Sequence, residues 1–250
     1  MIWLAFRQFR ATLICTAALV LILVGLFAVH GFSAHRLVSQ AAARGCLPTD
    51  VPQCGDLVRQ LTGRLHQLSP YLGYLAVTPP LIGGFWGAPM IAREVESGTA
   101  AMTWSQTVTR RRWLIVQLAV GGAAVTVLGL VLGFAITAWL SVFADLDPNA
   151  SIYSVFTLHG VLPAAEWLAA FLIGAVAGAF ARRTVSAIAG TVMVVFAIVI
   201  ALALISGSYT PAQSTTAGVF VGQLIESGLL LAAGAAAVVL VCRRIEQVSA

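Results

Sequence analysis

The sequence predicts an all-α integral membrane protein with six transmembrane helices. Of its 250 residues, 60% are hydrophobic and only 9% are charged, and the mean hydropathy is +0.95. A soluble domain carries about 25% charged residues to hydrate its surface, so lipid must cover most of this chain. The few charged residues also stand in short clusters, separated by apolar runs that are long enough to cross a bilayer.

The apolar runs supply the individual helices, because a helix needs roughly 20 apolar residues to cross the hydrocarbon core. The longest run, 184–225, is too long for one helix, and turn-forming residues around Gly207 and Pro211 divide it in two. We predict membrane spans over residues 11–31, 70–91, 114–140, 157–181, 185–206 and 219–242.

The basic residues predict which side of the membrane each loop occupies, because cytoplasmic loops retain positive charge. With both termini in the cytoplasm, the inner side holds ten Arg and the outer side holds four, all of them in one outer loop over residues 32–69. The inner Arg residues are Arg7, Arg10, Arg93, Arg110, Arg111, Arg112, Arg182, Arg183, Arg243 and Arg244. Basic residues in short clusters between long uncharged runs are typical of membrane topology, and we expect no nucleic-acid partner.

Two shorter segments at the predicted membrane surfaces have recognisable patterns. In residues 1–10, Trp3, Phe6 and Phe9 recur every third position beside Arg7 and Arg10, which is typical of an interfacial helix, although a simple anchor gives the same pattern. The outer loop contains Cys46 and Cys54, which form a disulfide on an oxidising face or stay as two thiols. The four His residues match no metal-ligand spacing, so we expect no metal site.

The cytoplasmic loop over residues 92–113 carries the densest group of charges. Charged residues directly follow the second span, and a Ser-Gly-Thr sequence then interrupts the helix. Three Arg anchor the start of the third span at the membrane surface. On composition alone, the loop is either an ordinary positive loop or a surface that a soluble partner binds. The candidate partner-coupling residues are Arg93, Glu94, Glu96, Gly98, Thr99, Arg110, Arg111 and Arg112.

The same loop carries a family resemblance. Residues 87–99, Gly-Ala-Pro-Met-Ile-Ala-Arg-Glu-Val-Glu-Ser-Gly-Thr, and residues 104–113, Trp-Ser-Gln-Thr-Val-Thr-Arg-Arg-Arg-Trp, resemble the permease subunits of type-2 ABC exporters, especially those of actinobacteria. Residues 160–187 and 221–226 are similar to the fourth span and to the start of the last span in that family. The chain departs from the family in a short loop over 207–218 and in Glu166, which stands where the family is usually apolar.

The resemblance implies a permease in a bacterial plasma membrane that pairs with itself or with a second permease, each bound to a separate ABC ATP-binding subunit. Residues 92–113 would couple the two subunits, with Glu94 and Glu96 in contact with the partner. The chain contains no Lys and therefore lacks the residue that a P-loop places on the phosphates, so ATP would be bound and hydrolysed by the partner. We expect no enzymatic site and no bound cofactor in this chain.

Two carboxylates inside predicted spans, Glu166 and Glu226, leave other functions open. Such groups are costly in lipid, so they either line a path and bind a cationic part of a substrate or are protonated and hydrogen-bonded to a neighbouring helix. They allow a proton-coupled secondary transporter as an alternative function, and a non-transporting sensor or assembly protein is another. Three Gly-x-x-x-Gly pairs, at 83/87, 129/133 and 174/178, suit either packing within the bundle or a dimer contact.

Overall fold

The computed structural model describes residues 2–46, 54–97, 110–143, 158–181, 183–209 and 216–247, and these residues form helices and turns without any strand. A five-residue π-helical segment, Gly83–Gly87, lies between α3 and α4. The helices are α1 (Ile2–Ala43), α2 (Gly55–Leu75), α3 (Thr78–Ile82), α4 (Ala88–Glu96), α5 (Arg110–Ser141), α6 (Leu162–Phe180), α7 (Thr184–Tyr209) and α8 (Thr216–Gln247).

Six stretches of helix are long and apolar enough to cross a membrane, which confirms the predicted all-α fold with six spans. In chain order, the first to sixth spans are Phe9–Ala43, Leu72–Glu94, Arg111–Ser141, Leu162–Phe180, Thr184–Leu202 and Val221–Arg243. The second span is assembled from the end of α2, α3, the π segment and most of α4, because Pro79 and Pro80 interrupt regular helical hydrogen bonding at its start. Which side of the membrane the termini occupy stays a prediction.

The two ends of α1 differ from the sequence-based picture. Residues 2–10 continue directly into the first span as part of α1, and their place in the membrane interface stays a prediction. At the other end, α1 runs on to Ala43, and α2 begins at Gly55, so most of the predicted outer loop over 32–69 is helical. Once the most apolar run ends, good helix formers such as the three Ala before Arg44 continue the helix.

A short helical hairpin therefore projects from one end of the bundle. Gly45 ends α1 in the left-handed region, with φ +67°. There the Cys46 N–H donates to the Ala41 carbonyl at 2.9 Å, as in a Schellman motif. Cys46 forms a disulfide with Cys54, which directly precedes α2, and their Cα atoms are 5.6 Å apart. Both Cys pack with Val38, Ala41 and Leu61 in a small apolar core, and Val142, just after α5, connects that core to the main one.

We expect the Cys46–Cys54 disulfide to be detectable by alkylation. Without reduction, denatured protein should take up label only at Cys15 and Cys242, which are free thiols, and after reduction at all four Cys. Because the disulfide closes a small loop, Cys46→Ser should weaken the hairpin by about 2–3 kcal/mol, whereas Cys15→Ser should not. Mass spectrometry of the alkylated peptides shows whether the Cys46–Cys54 disulfide is present, and labelling of all four Cys without reduction would contradict it.

The fourth span is the centre of the bundle. It packs against the second, third, fifth and sixth spans, whereas the first span packs mainly on the third. About two thirds (67%) of the most apolar stretch is buried in both the second and the fourth spans, against 11% in the first and 17% in the fifth. The first and fifth spans therefore present most of their apolar side chains on the outside of the bundle, and the second and fourth spans form the interior of the bundle.

The Gly-x-x-x-Gly pairs pack within the chain. A Cβ atom on Gly87 would overlap the carbonyl oxygen of Phe171, and one on Gly174 would overlap the carbonyl oxygen of Gly83. The pairs at 83/87 and 174/178 thus face each other where the second and fourth spans cross. The remaining pair, 129/133, packs on the chain around Gly160 and Ala164. Small residues let helix backbones approach closely in this way, so their role in this chain is contact between spans.

Candidate functional site

The candidate site lies at the end of the second span, where a carboxylate bridges two helices. Glu96, the last residue of α4, accepts a hydrogen bond at its Oε2 from the backbone N–H of Thr184 at 2.8 Å. Thr184 is the first residue of α7, so this N–H has no acceptor within its own helix. A negative charge is also favourable at a helix N-terminus. The contact joins the predicted coupling loop to the fifth span, across 88 positions of sequence.

The surroundings of Glu96 favour its charged form. The Thr184 hydroxyl and backbone N–H, with a further contribution from the charge of Arg183, hold the pKa of the Glu96 carboxyl below its ordinary value of 4.5. A carboxylate whose pKa is lower in the folded protein contributes stability above its unfolded pKa and loses it as the pH falls through the folded pKa. The bridge between α4 and α7 is therefore formed at neutral pH and weakens only in acid.

We expect the Thr184 N–H to lose protection from hydrogen exchange as the pH falls below 4.5, after correction for the intrinsic exchange rate. In a Glu96→Gln variant, the side-chain carbonyl can still accept this hydrogen bond but does not titrate, so protection should not depend on pH. Exchange measured by mass spectrometry on peptides that contain Thr184 tests this. Equal pH dependence in the two proteins would contradict it.

An open groove of about 670 Å³ surrounds the bridge, and Arg93, Glu94, Glu96, Ser97 and Thr184 line it. The Ser97 hydroxyl donates to the Arg93 carbonyl at 2.8 Å, which closes the last turn of α4. Arg93 and Glu96 are exposed and Glu94 is half-buried. The groove thus presents charges of both signs on a helix end, a surface that a soluble protein could contact.

Apolar and backbone contacts earlier in α4 hold this helix against two other spans. Ala88 and Ala92 of α4 pack with Ala187 of α7 in a small apolar cluster. A Cβ on Gly178 of α6 would overlap the Ala88 carbonyl oxygen, so the two backbones are in direct contact. Any displacement of α4 must therefore move α6 and α7 as well, because close-packed backbones cannot yield as a flexible side chain can.

The structure describes only part of the predicted coupling set. Glu94, Glu96 and Arg93 meet in the groove, and Arg111 and Arg112 are exposed in the first turn of α5. Gly98, Thr99 and the side chain of Arg110 lie outside the described residues, as does most of the loop over 92–113. Thr184 was missed from sequence. The only sign of it was a Thr after Arg182-Arg183, since Thr is common at the start of a helix.

The two intramembrane carboxylates form a second polar region, far along the fourth span from the groove. Glu166 of α6 and Glu226 of α8 are each 7% exposed. Sequence reasoning missed their polar neighbours: the Gln223 amide donates to the His159 carbonyl at 3.1 Å, and Trp167 donates to the Thr78 hydroxyl at 3.0 Å. Their signal in sequence was weak, because single polar residues in apolar runs reveal nothing about which spans they join.

The comparisons with known proteins agree with this architecture. Residues 17–206 match the family described as ABC-2 membrane transporter related, which covers about three quarters of the chain. The matched residues include most of the first span, all of the second to fifth spans and the groove. No curated protein and no solved structure matches the chain. The resemblance to type-2 ABC permeases is thus confirmed, while the actinobacterial origin stays a prediction. The chain belongs to the ABC-2 membrane transporter related family and is a multi-pass transport subunit of a membrane.

Proposed function

We propose that the chain is the permease subunit of an ATP-driven ABC exporter in a bacterial plasma membrane. It forms the translocation path and contacts a separate ATP-binding subunit through residues 92–113. The observation that carries the proposal is the groove, in which a charged helix end is fastened to the fifth span by the Glu96–Thr184 hydrogen bond. The family match supports the transport role in general.

The packing of α4 supports a coupling role for this end of the bundle. A subunit that drives transport must push on a surface that is rigidly connected to the membrane helices. Here α4 is continuous with the second span, lies backbone to backbone on the fourth, and is bridged to the fifth. The positive-inside rule places this end in the cytoplasm, where ATP is available. The lack of Lys assigns nucleotide binding to the partner.

Affinity purification of the tagged full chain from native membranes tests the proposal. We expect an ATP-binding protein, identified by photolabelling with an azido-ATP, to co-purify with the chain. Glu94→Ala should reduce its recovery at least tenfold, since truncating a charged contact at an interface costs about 1–3 kcal/mol. Asp56→Ala, which removes an exposed carboxylate from α2, should leave recovery unchanged. Absence of any labelled protein from wild-type preparations would refute the proposal.

The Glu96 variant separates two roles of the groove. Because Glu96 is engaged with Thr184, we propose that it transmits motion and that Glu94 supplies the partner contact. Glu96→Ala should therefore retain the ATP-binding subunit but lose transport in proteoliposomes that hold both proteins. Loss of the partner from Glu96→Ala but not from Glu94→Ala would reverse this assignment.

The buried carboxylates favour one alternative function, a proton-coupled secondary transporter that uses Glu166 and Glu226. It predicts that transport persists when ATP is depleted while the proton gradient is clamped, whereas the exporter predicts that transport stops.

The largely exposed apolar faces of the first and fifth spans fit lipid or a paired permease. Cysteine cross-linking along α1 and α7 in membranes would identify a paired chain.

A further inference from the structure

We propose that the contact between the fourth and sixth spans contains a binding site for a cationic group of the transported substrate, formed by Glu166, Glu226, Gln223 and Ser227. The inference deepens the proposed export function and rests on it, since the bound cation would be the cargo. The site lies at the opposite end of the fourth span from the groove, because Glu166 is in the first turns of α6 and the groove lies against its last turns.

The two carboxylates are brought together by parallel packing of α6 and α8. At one end of the contact, the Gln223 side chain lies against Gly160, and further along, the Leu172 side chain lies against Gly234. Both contacts join residues almost the same distance apart in sequence, so the helices run in the same direction and in register. Glu166 and Glu226 both fall between these two contacts. The register places the two residues within about one helical turn of each other along the parallel helices.

Two polar atoms in this region are buried without a partner. Glu226 and Ser227 are 7% and 8% exposed. Within the part of the chain that the structure describes, neither the Oε1 atom of Glu226 nor the Ser227 hydroxyl has a hydrogen-bond partner. An unpaired buried polar group costs free energy, and a buried carboxylate costs much more. The region is therefore incomplete as it stands and needs a group that donates hydrogen bonds or carries positive charge.

Among the residues that the structure describes, no cationic side chain is placed to supply that charge. Neither residues 113–181 nor residues 184–242 contain any Arg or Lys. Among the described residues, no ion pair to Glu166 or Glu226 is found. The neighbouring titratable group is His159, whose ring and carbonyl both lie against the Gln223 amide. A compensating cation would therefore come from outside the chain.

The chemistry of the region favours an ammonium or another organic cation over a metal ion. Two carboxylates, one amide and one hydroxyl reach the lower limit of the 6–8 oxygen ligands that Ca²⁺ takes only if both carboxylates bind through both of their oxygens. The described residues hold no group of three or more His, Cys, Asp or Glu that could bind a metal. Leu162, Ala165 and Ala169 of α6 pack with Leu230 of α8 in an apolar cluster at the same contact between the two helices. An organic cation fits carboxylates beside apolar walls.

Binding to the purified full chain in lipid nanodiscs tests the proposal, with tetraphenylphosphonium as the probe. Tetraphenylborate has the same shape and the opposite charge, so it controls for partition into lipid. We expect saturable binding of the cation alone, weakened at least tenfold by Glu166→Gln and by Glu226→Gln. Asp56→Asn, which removes the same charge from an exposed position on α2, should bind as wild type does. Equal binding in wild type and both Gln variants, or no saturable binding, would overturn the proposal.

A second measurement uses wild-type protein, so its result does not depend on whether the Gln variants fold. Dicyclohexylcarbodiimide modifies carboxyl groups in apolar surroundings, and mass spectrometry locates the adduct. We expect tetraphenylphosphonium, but not tetraphenylborate, to protect Glu166 and Glu226 from modification. Modification that proceeds equally with and without the cation would show that the pair holds only protons, and the proposal would fail. Both measurements use the permease alone, so their failure would leave the proposed ATP-binding partner untouched.

Discussion

Replacing Gly174 with Leu should separate the second and fourth spans and prevent the bundle from assembling. Even the first carbon of a side chain at this position would overlap the carbonyl oxygen of Gly83 and would lie 2.9 Å from the Ala88 nitrogen. These are backbone atoms at the centre of the bundle, so no rotamer change can make room for them. Overpacking of a well-packed interior typically costs about 1–3 kcal/mol, and a Leu against backbone should reach or exceed the upper end of that range.

The same substitution at Gly190 is the matched control. Gly190 lies in α7, and a Cβ built there has no neighbour within 4 Å. Gly190→Leu should therefore be neutral or slightly stabilising, since Leu has a higher helix propensity than Gly by roughly 0.5–1 kcal/mol. Size-exclusion profiles of detergent-solubilised protein after heating would compare the variants. If Gly174→Leu lost its size-exclusion peak at the same temperature as wild type, the crossing of the second and fourth spans would be refuted.

Trp86→Ala should be the most damaging truncation in the second span. Trp86 is 3% exposed, stacks on Phe9 with ring centroids 5.8 Å apart, and donates its indole N–H to the Thr16 hydroxyl at 3.1 Å. Its removal leaves a void between the first and second spans and ends both contacts. We expect a loss of about 3 kcal/mol in the free energy of unfolding, measured by titration with a denaturing detergent.

Phe85 gives an adjacent control for this prediction. It belongs to the same π segment but is 57% exposed on the apolar surface, where lipid chains can refill the space after Phe85→Ala. Its truncation should change the free energy of unfolding by no more than about 0.5 kcal/mol. Thr16→Val isolates the hydrogen bond, which should account for about 0.6 kcal/mol. Equal losses from Trp86→Ala and Phe85→Ala would show that the first and second spans do not pack as described.

The spans could be predicted from sequence because insertion into lipid depends on local hydropathy. The predicted spans 114–140 and 185–206 lie close to the third and fifth spans of the structure. The extension of α1 to Ala43 was not predicted, since hydropathy locates the edge of the membrane but not the end of a helix that continues beyond it. Only Gly45, with its positive φ, marks the true end of α1.

The contacts between spans were beyond prediction from one sequence. The spacing of Gly174 and Gly178 indicated a close helix contact, but nothing local specified that its partner is Gly83 and Gly87. The motif predicts that Glu96 contacts an external partner, and this stays a prediction. Its hydrogen bond to Thr184 depends on which spans are neighbours, and that is fixed by packing across the whole bundle. Residue types thus indicate candidate positions, and the fold determines what each one touches.

The π segment gives the second span a built-in means of turning. Its five residues, Gly83–Gly87, are wound more loosely than an α-helix, and they include both glycines that the second span contributes to its crossing with the fourth. If they rewound to α geometry, everything beyond them would rotate by roughly the 100° that one α-helical residue contributes. Because α4 lies backbone to backbone on α6 and is bridged to α7, the fourth and fifth spans would have to shift with it. A change in helical winding near the centre of the bundle would therefore appear as rotation at the charged end of the second span.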